Sequence, residues 1–288
     1  MNKDQLARVI QNAIGHRMEI QSFRVVGGGC INRCYKVITD QESYFLKVNQ
    51  KQYLDMFQAE HHGLEALAQN CDLLVPEVFG TGCLGEISYL LLDFIERSAP
   101  ATDYWESLAT GMAAMHRVTS NNYGWKLNNY IGSLPQSNKW HQGWRQFFIH
   151  ERLLPQIGMA QKSGLITGAL KDTFESLFTR LDDLLGEEVP VFLHGDLWSG
   201  NIMTGPLGQP CLVDPAVYFG HREIELAFTT LFGGFDHKFY QAYNSAYPME
   251  PGYRERFELY NLYPLLVHLN LFGGGYLDQI LQVLRKFV

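Results

Sequence analysis

The feature that most constrains this chain is the segment HGDLWSGN at residues 194–201. It sets Asp196 and Asn201 five residues apart, and Asp214 follows 18 residues after Asp196, at the end of an apolar run. In phosphoryl transfer, an Asp at this spacing orients the attacking hydroxyl group and accepts its proton, while the Asn and a later Asp bind Mg²⁺. The spacing therefore predicts a kinase catalytic loop and metal site. The alternative is a polar loop between two strands, followed by a turn before Pro215.

Upstream of this loop, residues 44–48 place Lys47 in the middle of an apolar strand. A buried charge is costly without a partner, and the expected partners are nucleotide phosphates and an acid on the next helix. Glu60 lies on that helix, which the apolar spacing predicts at residues 53–69. Lys47 and Glu60 are therefore candidates for a catalytic ion pair. The alternative is that both are solvated charges, one on an edge strand and one on a helix surface.

A run of three glycines, residues 27–29, interrupts the chain between the first two predicted strands, ahead of the strand that carries Lys47. Glycine lets backbone N–H groups approach phosphates closely, so this segment is a candidate phosphate-binding turn. It is neither a Walker A motif nor a complete G-x-G-x-x-G, and a plain turn is the alternative. The candidate nucleotide-binding residues are Gly28, Gly29, Cys30, Ile31 and Asn32.

These signals follow one another in the order that a kinase requires: glycine turn, strand Lys, helix Glu, catalytic loop and metal Asp. Strand patterns dominate before residue 95, and helical patterns dominate after it. We therefore predict an α+β, protein-kinase-like bilobal fold. Its β-rich N-lobe, residues 1–95, would bind nucleotide. Its larger and mainly helical C-lobe, residues 96–288, would carry the catalytic loop, the metal site and the substrate pocket.

The individual elements follow from hydrophobic periodicity. The predicted strands cover residues 19–26, 34–39, 44–48, 87–94, 191–194, 201–204 and 211–213. Besides a short N-terminal helix and the one at 53–69, the predicted helices cover residues 103–117, 139–160 and 168–185, with further helices up to residue 288. A polar tetrapeptide at residues 39–42 predicts a hairpin turn.

Charge and cysteine content exclude several classes of protein. With 23 basic and 30 acidic residues the net charge is −7, and no basic run is present, so nucleic acid is not an expected partner. Five cysteines without a C-x-x-C pair argue against a zinc site and a secreted disulfide framework. The N-terminus lacks the apolar stretch of a signal peptide, and residues 262–272 are too short to span a membrane. We therefore expect a cytoplasmic protein with reduced thiols and no membrane partner.

Several segments of the chain resemble the fructosamine kinase (ketosamine-3-kinase) family, a branch near the aminoglycoside and choline kinases. The similarity is strongest to its short bacterial members. The matching segments are GGGCIN, FLKVN, HGDLWSGN, VDPAVYFGHREIELAF and LFGGGY, which extend from residue 27 to residue 276. HGDLWSGN followed by DPA and YFGHRE is specific to this group, whereas the H-x-D spacing with a later Asn occurs in many kinases.

The resemblance implies an ATP- and Mg²⁺-dependent enzyme that phosphorylates the O3 hydroxyl of ketosamines. These adducts form when sugars glycate amines, including protein lysines, and the acceptor is therefore small or protein-bound. The 3-phosphate makes the adduct labile and regenerates the amine, which is a deglycation repair.

The resemblance also implies roles for single residues. Asp196 would be the general base, Asn201 and Asp214 would hold Mg²⁺, and Lys47 with Glu60 would position the phosphates. The hinge that contacts the adenine would lie within residues 92–95. The candidate hinge residues are Asp93, Phe94 and Ile95. Trp198 is the aromatic ring expected to face the sugar. For Trp198 the alternative is a ring that packs against its own loop.

Two positions vary within the resemblance. Glu225 stands where members of the family commonly carry an Asp that anchors the metal loop, and Cys30 is present in some members and absent from others. A thiol beside backbone N–H groups and near Lys47 would have a lowered pKa. Cys30 is therefore a candidate redox switch, and the chain is expected to be a monomer or a redox-linked homodimer. Cys34 is a competing partner, and burial of both thiols is the alternative.

Other readings remain open. An aminoglycoside-, choline- or homoserine-type kinase would share the same chemistry. A catalytically weak nucleotide-binding regulator is disfavoured because the Lys, Asp and metal positions are all present. A protein kinase is disfavoured because it would carry an APE segment after Asp214, and this sequence has none there. His116 is expected to be a packed or capping residue. The tripeptide at residues 221–223 could anchor the metal loop or contact substrate, and the sequence leaves the roles of His221, Arg222 and Glu223 open.

Overall fold

The computed structural model describes residues 1–27 and 32–288. The strands are β1 (Ile20–Val26), β2 (Arg33–Thr39), β3 (Ser43–Gln50), β4 (Val78–Leu84), β5 (Ile87–Asp93), β6 (Asn129–Ile131), β7 (Leu134–Gln136), β8 (Val191–Leu193), β9 (Ile202–Thr204), β10 (Pro210–Leu212) and β11 (Tyr218–Gly220). The helices are α1 (Lys3–Ile14), α2 (Leu54–Asn70), α3 (Tyr104–Met115), α4 (Trp144–Phe147), α5 (Leu154–Lys162), α6 (Gly168–Leu184), α7 (Arg222–Phe228), α8 (His237–Ala246), α9 (Tyr253–Tyr260), α10 (Leu262–Phe272) and α11 (Leu277–Phe287). A π-helical segment, Phe148–Leu153, joins α4 to α5, and single 3₁₀ turns occupy Lys51–Tyr53, Ser199–Asn201 and Gly274–Tyr276.

The chain divides into two compact units. The first unit comprises Met1–Tyr104 together with Ile202–Pro215, and the second comprises Trp105–Asn201 with Ala216–Val288. Residues 202–215 belong to the first unit because the N–H of Leu212 donates to the carbonyl of Leu74 at 2.9 Å. The predicted lobes, residues 1–95 and 96–288, differ from these units at residues 96–104 and 202–215, and the functions assigned to the lobes stay predictions.

The first unit is built on one antiparallel sheet with the strand order β1-β2-β3-β5-β4. The hairpin between β2 and β3 turns where it was predicted, at residues 39–42. There the N–H and the hydroxyl group of Thr39 both donate to the carbonyl of Glu42, each at 2.9 Å. This local pairing fixes the register of the two strands, so that Cys34 lies opposite Lys47.

The two faces of this sheet have different surroundings because side chains alternate along each strand. One face, with Tyr35, Leu46 and Leu91, packs in a buried cluster with the apolar residues of α1. The other face packs its leucines, including Leu90, against Phe57 of α2. Lys47 follows Leu46 and therefore lies on the face that α2 covers.

Strand β4 was not predicted. Its sequence, VFGTGCL, contains two glycines, and glycine is depleted in strands. Pairing with β5 along the whole strand, from Val78 opposite Leu92 to Leu84 opposite Ile87, overrides that low propensity. The missed strand shows the limit of a prediction from local residues alone.

The second unit is mainly helical. The helices predicted at 103–117 and 168–185 are present with slightly shifted ends, but the one predicted from residue 139 begins at Trp144. Residues before Gly143 are extended instead, because Tyr123 and His141 exchange backbone hydrogen bonds of 2.9 Å. Two short pairings were also missed, β6 with β7 and β8 with β11. In the ranges that the structure describes, no helix is both long and apolar enough to cross a membrane.

Asp93, at the end of β5, gives this fold a pH-dependent stability. Its carboxylate accepts a hydrogen bond from the N–H of Glu77 at 2.7 Å, and burial raises the pKa of Asp93 to about 6 from the ordinary 3.8. The folded protein therefore holds this proton more tightly than the unfolded chain, and we expect the free energy of unfolding to fall as pH rises from about 4 to 6.

The substitution Asp93→Asn should remove this part of the pH dependence, since the amide oxygen can still accept the hydrogen bond. Urea unfolding at several pH values between 4 and 7 measures it. The exposed Asp183→Asn variant serves as the control and should follow the parent protein. An unchanged slope in Asp93→Asn would contradict the prediction.

Candidate active site

Lys47 is a buried cation held between two carboxylates of the first unit. Only 4% of the residue is exposed, and its Nζ donates to Glu60 Oε1 at 2.7 Å and also to Asp214 Oδ1. Burial by itself lowers the pKa of Lys47, but the charges of Asp214 and Glu60 outweigh it and raise the pKa above its usual value. The lysine therefore stays charged, and the expected contact between Lys47 and Glu60 is present.

Glu60 reaches this lysine from α2, the helix that the apolar spacing predicted. Burial raises the pKa of Glu60; Lys47 lowers it, and the carboxylate of Asp214 adds to the rise. Two carboxylates thus share one ammonium group. Removal of Lys47 would leave two like charges close together.

Asp214 follows β10 in a backbone conformation that is uncommon for a residue with a side chain, with φ of 54°. Such a conformation costs of order 1–3 kcal/mol and persists where the surroundings enforce it. The surroundings are tight here, because a Cβ on Gly63 of α2 would lie 3.1 Å from the ring of Pro215. The Asp214 side chain is 41% exposed, against 15% for Glu60, so solvent reaches Asp214 more readily.

The catalytic loop predicted at residues 194–201 is closed on itself in the second unit. The side-chain amide of Asn201 donates to both the carbonyl and the carboxylate of Asp196, each at 2.8 Å. Gly195 permits the turn, since its φ is 82° and a Cβ would lie 2.0 Å from the carbonyl oxygen of Ala216. The amide nitrogen of Asn201 faces Asp196, which leaves its oxygen as the atom able to bind a cation.

Glu225 anchors this loop from α7. Its two carboxylate oxygens accept hydrogen bonds from the N–H groups of Gly195 at 2.6 Å and His194 at 3.2 Å. His116 Nε2 lies 2.8 Å from the same carboxylate, and the hydroxyl group of Tyr243 lies 2.6 Å from His116 Nδ1. The resemblance implied a carboxylate that anchors the metal loop, but the contacts of Glu225 are with the start of the catalytic loop.

The role of His116 was underestimated from the sequence. It is fully buried, as expected for a packed residue, but it also holds the carboxylate that holds the loop. Tyr243 was missed altogether. No local pattern could have found either contact, because His116 precedes Glu225 by 109 residues and Tyr243 by 127.

The tripeptide at residues 221–223 makes packing contacts within the second unit. Arg222 donates to the carbonyl groups of residues 247 and 248, at 2.9 and 2.7 Å, and Glu223 accepts from Arg256 at 2.7 Å. His221 begins α7, and burial, with help from the charges of Arg256 and Arg222, lowers the pKa of His221 to about 3. These contacts fix α7, and through it Glu225.

Trp198, in the catalytic loop, is partly packed and partly exposed. Its ring covers Gly200, where a Cβ would lie 2.3 Å away, so contact with its own loop is real. The ring also meets Phe232 edge to face, with centroids 6.1 Å apart. Phe232 was not singled out in the sequence, and a substrate-facing role for Trp198 stays a prediction.

The predicted hinge is tied into the sheet. The N–H groups of Asp93 and Phe94 donate to the carbonyls of Glu77 and Ser43, each at 3.0 Å, so a nucleotide base could not use them without breaking these bonds. Lys36 was missed in the sequence: its ammonium group lies 4.0 Å from the centroid of the Phe94 ring and pairs with Glu96. A contact of the base with Ile95 stays a prediction.

The predicted phosphate turn is described only at its end. Asn32 accepts a hydrogen bond from the side chain of Asn49 at 2.8 Å, which ties the turn to β3. Burial raises the pKa of Cys34 to about 11, although Lys47 opposes it, so this thiol is protonated near neutral pH and reacts poorly. Four residues predicted to bind nucleotide lie outside the described residues: Gly28, Gly29, Cys30 and Ile31. The predicted redox role of Cys30 therefore also falls outside them.

The candidate metal ligands have the right chemistry for Mg²⁺, which prefers hard oxygen donors and completes its shell with water and phosphate. Asp214 offers a solvent-accessible carboxylate, and Asn201 offers an amide oxygen. Within the described part of the chain, no group of three or more His, Cys, Asp or Glu side chains could hold a metal ion by itself. An ion at Asp214 would therefore need further ligands, such as phosphate oxygens.

Comparison with known proteins gives one consistent result. A sequence profile described as fructosamine kinase matches residues 2–288. A probable ketoamine kinase of Synechocystis sp. is 41% identical over 284 residues, which cover 98% of this chain and 95% of the relative. A chloroplastic protein-ribulosamine 3-kinase of Oryza sativa subsp. japonica is 36% identical over 95% of this chain and 81% of its own.

Solved structures agree with the sequences. A putative fructosamine-3-kinase from Haemophilus somnus superposes with a TM-score of 0.90 at 28% identity and covers 98% of this chain and 96% of its own. An aminoglycoside phosphotransferase superposes with a TM-score of 0.63 at 16% identity over the full length of both chains, a similarity of fold alone. The α+β, protein-kinase-like fold predicted from the sequence is thereby confirmed.

The substitution Glu225→Ala should destabilise the protein by about 3 kcal/mol or more, because it removes one partner of a buried pair and strands two N–H groups. Glu225→Asp should recover part of this loss. Urea unfolding measures both, and Glu258→Ala, which removes an exposed pair with Lys286, is the control and should cost about 0.5 kcal/mol. Equal effects of Glu225→Ala and the control would refute the anchoring role.

Proposed function

The chain belongs to the fructosamine kinase family and is therefore an ATP-dependent kinase, and from that premise we propose that it phosphorylates the O3 hydroxyl of ketosamines. The acceptor class is suggested by the relatives, which are named for ketoamines and for protein-bound ribulosamines. The observation that carries the proposal is the buried Lys47, fixed between Glu60 and Asp214. The stability of the fold does not explain why this cation is buried, because a buried ion pair stabilises a protein little more than apolar packing does.

Lys47 is proposed to bind the α- and β-phosphates of ATP through its ammonium group. Its two carboxylate partners keep it protonated and hold its long side chain in one conformation. Glu60 is the more buried of the two and would remain on the lysine. Asp214 is the more exposed and would exchange part of that contact for a metal ion.

Asn201 and Asp214 are proposed to hold Mg²⁺, which neutralises charge on the transferring phosphoryl group when it is bound. Their oxygen donors fit this ion. The double hydrogen bond from Asn201 to Asp196 fixes the amide so that its oxygen keeps one direction. The unusual backbone conformation of Asp214 likewise fixes where its carboxylate points.

Asp196 is proposed to accept the proton of the sugar hydroxyl as that oxygen attacks phosphorus. Its carboxylate already accepts a hydrogen bond from Asn201, which holds it in one orientation. The loop that carries it is held from behind by Glu225 and His116, so the carboxylate does not have to be ordered during the reaction.

The acceptor is proposed to be a ketosamine on a small amine or on a protein lysine, with Trp198 against the sugar. The chain is proposed to act in the cytoplasm, without nucleic acid or membrane, as a monomer or as a homodimer linked through Cys30. Kanamycin and choline serve as acceptors that would reveal a different small-molecule kinase.

The substitution Asp196→Asn should abolish acceptor-dependent ADP release while ADP binding persists, because the amide cannot accept the proton. A coupled assay with ATP, Mg²⁺ and ribulosyl- or fructosyl-lysine measures turnover, and kanamycin and choline are tested beside them. Turnover of only kanamycin or choline, or full activity of the variant, would overturn the proposal.

The substitution Lys47→Met should weaken ADP binding about 10- to 100-fold, the loss of one hydrogen bond between charged groups. Isothermal titration with Mg²⁺-ADP measures it. Lys171→Met, which removes a partly exposed lysine paired with Glu175, is the matched control and should bind like the parent. Unchanged affinity in Lys47→Met would contradict its role with the phosphates.

A further inference from the structure

A cluster of aromatic side chains includes Trp198 of the catalytic loop in the second unit, and the proposed reaction uses only that one of them. Four are partly exposed, and Phe272 is 60% exposed, so solvent reaches the rings. The members of this aromatic cluster are Trp198, Phe232, His268, Phe272 and Tyr276.

Phe232 is the central ring of this cluster. It stands nearly perpendicular to Trp198, at 81° and 6.1 Å between centroids, and to Tyr276, at 89° and 6.3 Å. His268 supports it from 4.4 Å. Phe232 therefore forms a corner with each of the two rings, Trp198 and Tyr276, and each ring contributes electron-rich faces and electron-poor edges.

The backbone of Phe232 supports a functional reason for this corner. Among the described residues, Phe232 and Asp214 are the non-glycine residues with positive φ, at 53° and 54°. For a bulky residue this conformation is an outlier, and strain of this kind concentrates at functional sites. A glycine would make the same turn without cost, so the ring itself is what Phe232 contributes.

The acceptor proposed above carries a feature that such a corner recognises. The amine of a ketosamine is protonated near neutral pH, so the substrate is a sugar with a cation next to it. Ammonium groups bind the faces of Trp, Tyr and Phe rings by cation–π attraction. Trp198 is two residues from Asp196, the proposed base, so one ring of the cluster belongs to the same loop as the chemistry.

We propose that Trp198, Phe232 and Tyr276 form an aromatic cage that binds the protonated amine of the acceptor. This proposal rests on the proposed function and deepens it. The cage selects glycated amines over neutral sugars that bear the same O3 hydroxyl. Burial lowers the pKa of His268, so that ring supports Phe232 without placing a positive charge beside the bound ammonium group.

The first test compares two acceptors on the intact protein. N-methyl-fructosamine carries the ammonium group, and 1-O-methyl-fructose replaces it with a neutral ether oxygen. We expect KM for the amine to be at least tenfold below KM for the ether, with similar kcat. Equal KM values would overturn the cage.

The second test uses Phe232→Leu, which keeps an apolar side chain and removes the ring. KM for the amine should rise about tenfold and KM for the ether should stay unchanged, and Phe232→Tyr should restore the preference. Phe272→Leu is the matched control, because that exposed ring meets His268 and Tyr276 at 5.5 and 6.5 Å, and it should leave both KM values unchanged. A parallel rise of both KM values in Phe232→Leu would mean simple packing and would refute the cage.

Two further measurements keep the outcome decisive. If Phe232→Leu unfolds, Tyr276→Leu takes its place with the same expected result. If the parent protein turns over no ketosamine, the proposed function fails, and equilibrium binding of the amine and the ether by isothermal titration decides the cage separately. Tighter binding of the amine supports it, and equal binding overturns it.

Discussion

The contact on which the first unit depends is the buried ammonium group of Lys47 between Glu60 and Asp214. It requires the register of β2, β3 and β5, the position of α2, and the packing of residues 202–215 beside that helix. The buried lysine is tolerable in this setting because both carboxylates compensate its charge, and Glu60, the more buried carboxylate, depends on the lysine in turn. A pair of this kind contributes little net stability over apolar packing, which is compatible with the role proposed for it with phosphate and metal.

In the second unit, hydrogen bonds to the backbone hold the catalytic loop in place. Glu225 accepts from two N–H groups at the start of the catalytic loop, and His116 with Tyr243 hold that carboxylate in turn. The loop therefore has a defined shape before any ligand arrives, which is the condition for electrostatic catalysis by a fixed carboxylate. Arg222 and Glu223 hold α7 in place, and α7 carries Glu225, so these two residues support the loop indirectly.

Strain and charge thus occur where chemistry is expected, and the remainder of each unit follows ordinary packing rules. Among the described residues, the two non-glycine residues with positive φ are Asp214 and Phe232. The first fixes a proposed metal ligand, and the second fixes the ring at the centre of the proposed ammonium cage. Asp214 would then act on the phosphoryl group and affect the rate of transfer, whereas Phe232 would act on the acceptor and affect substrate specificity.

The sequence by itself determined the features that depend on neighbouring residues: the hairpin at residues 39–42, helix α2, the strand Lys and the spacing within HGDLWSGN. Hydrophobic period and turn chemistry act over a few residues, so they can be read locally. Only the tertiary structure decided that β4 pairs despite its glycines, that residues 202–215 pack in the first unit, and that His116 and Tyr243 support the loop. These facts arise from contacts between residues about 100 or more positions apart, or from strand pairing that overrides propensity, and no local pattern encodes them.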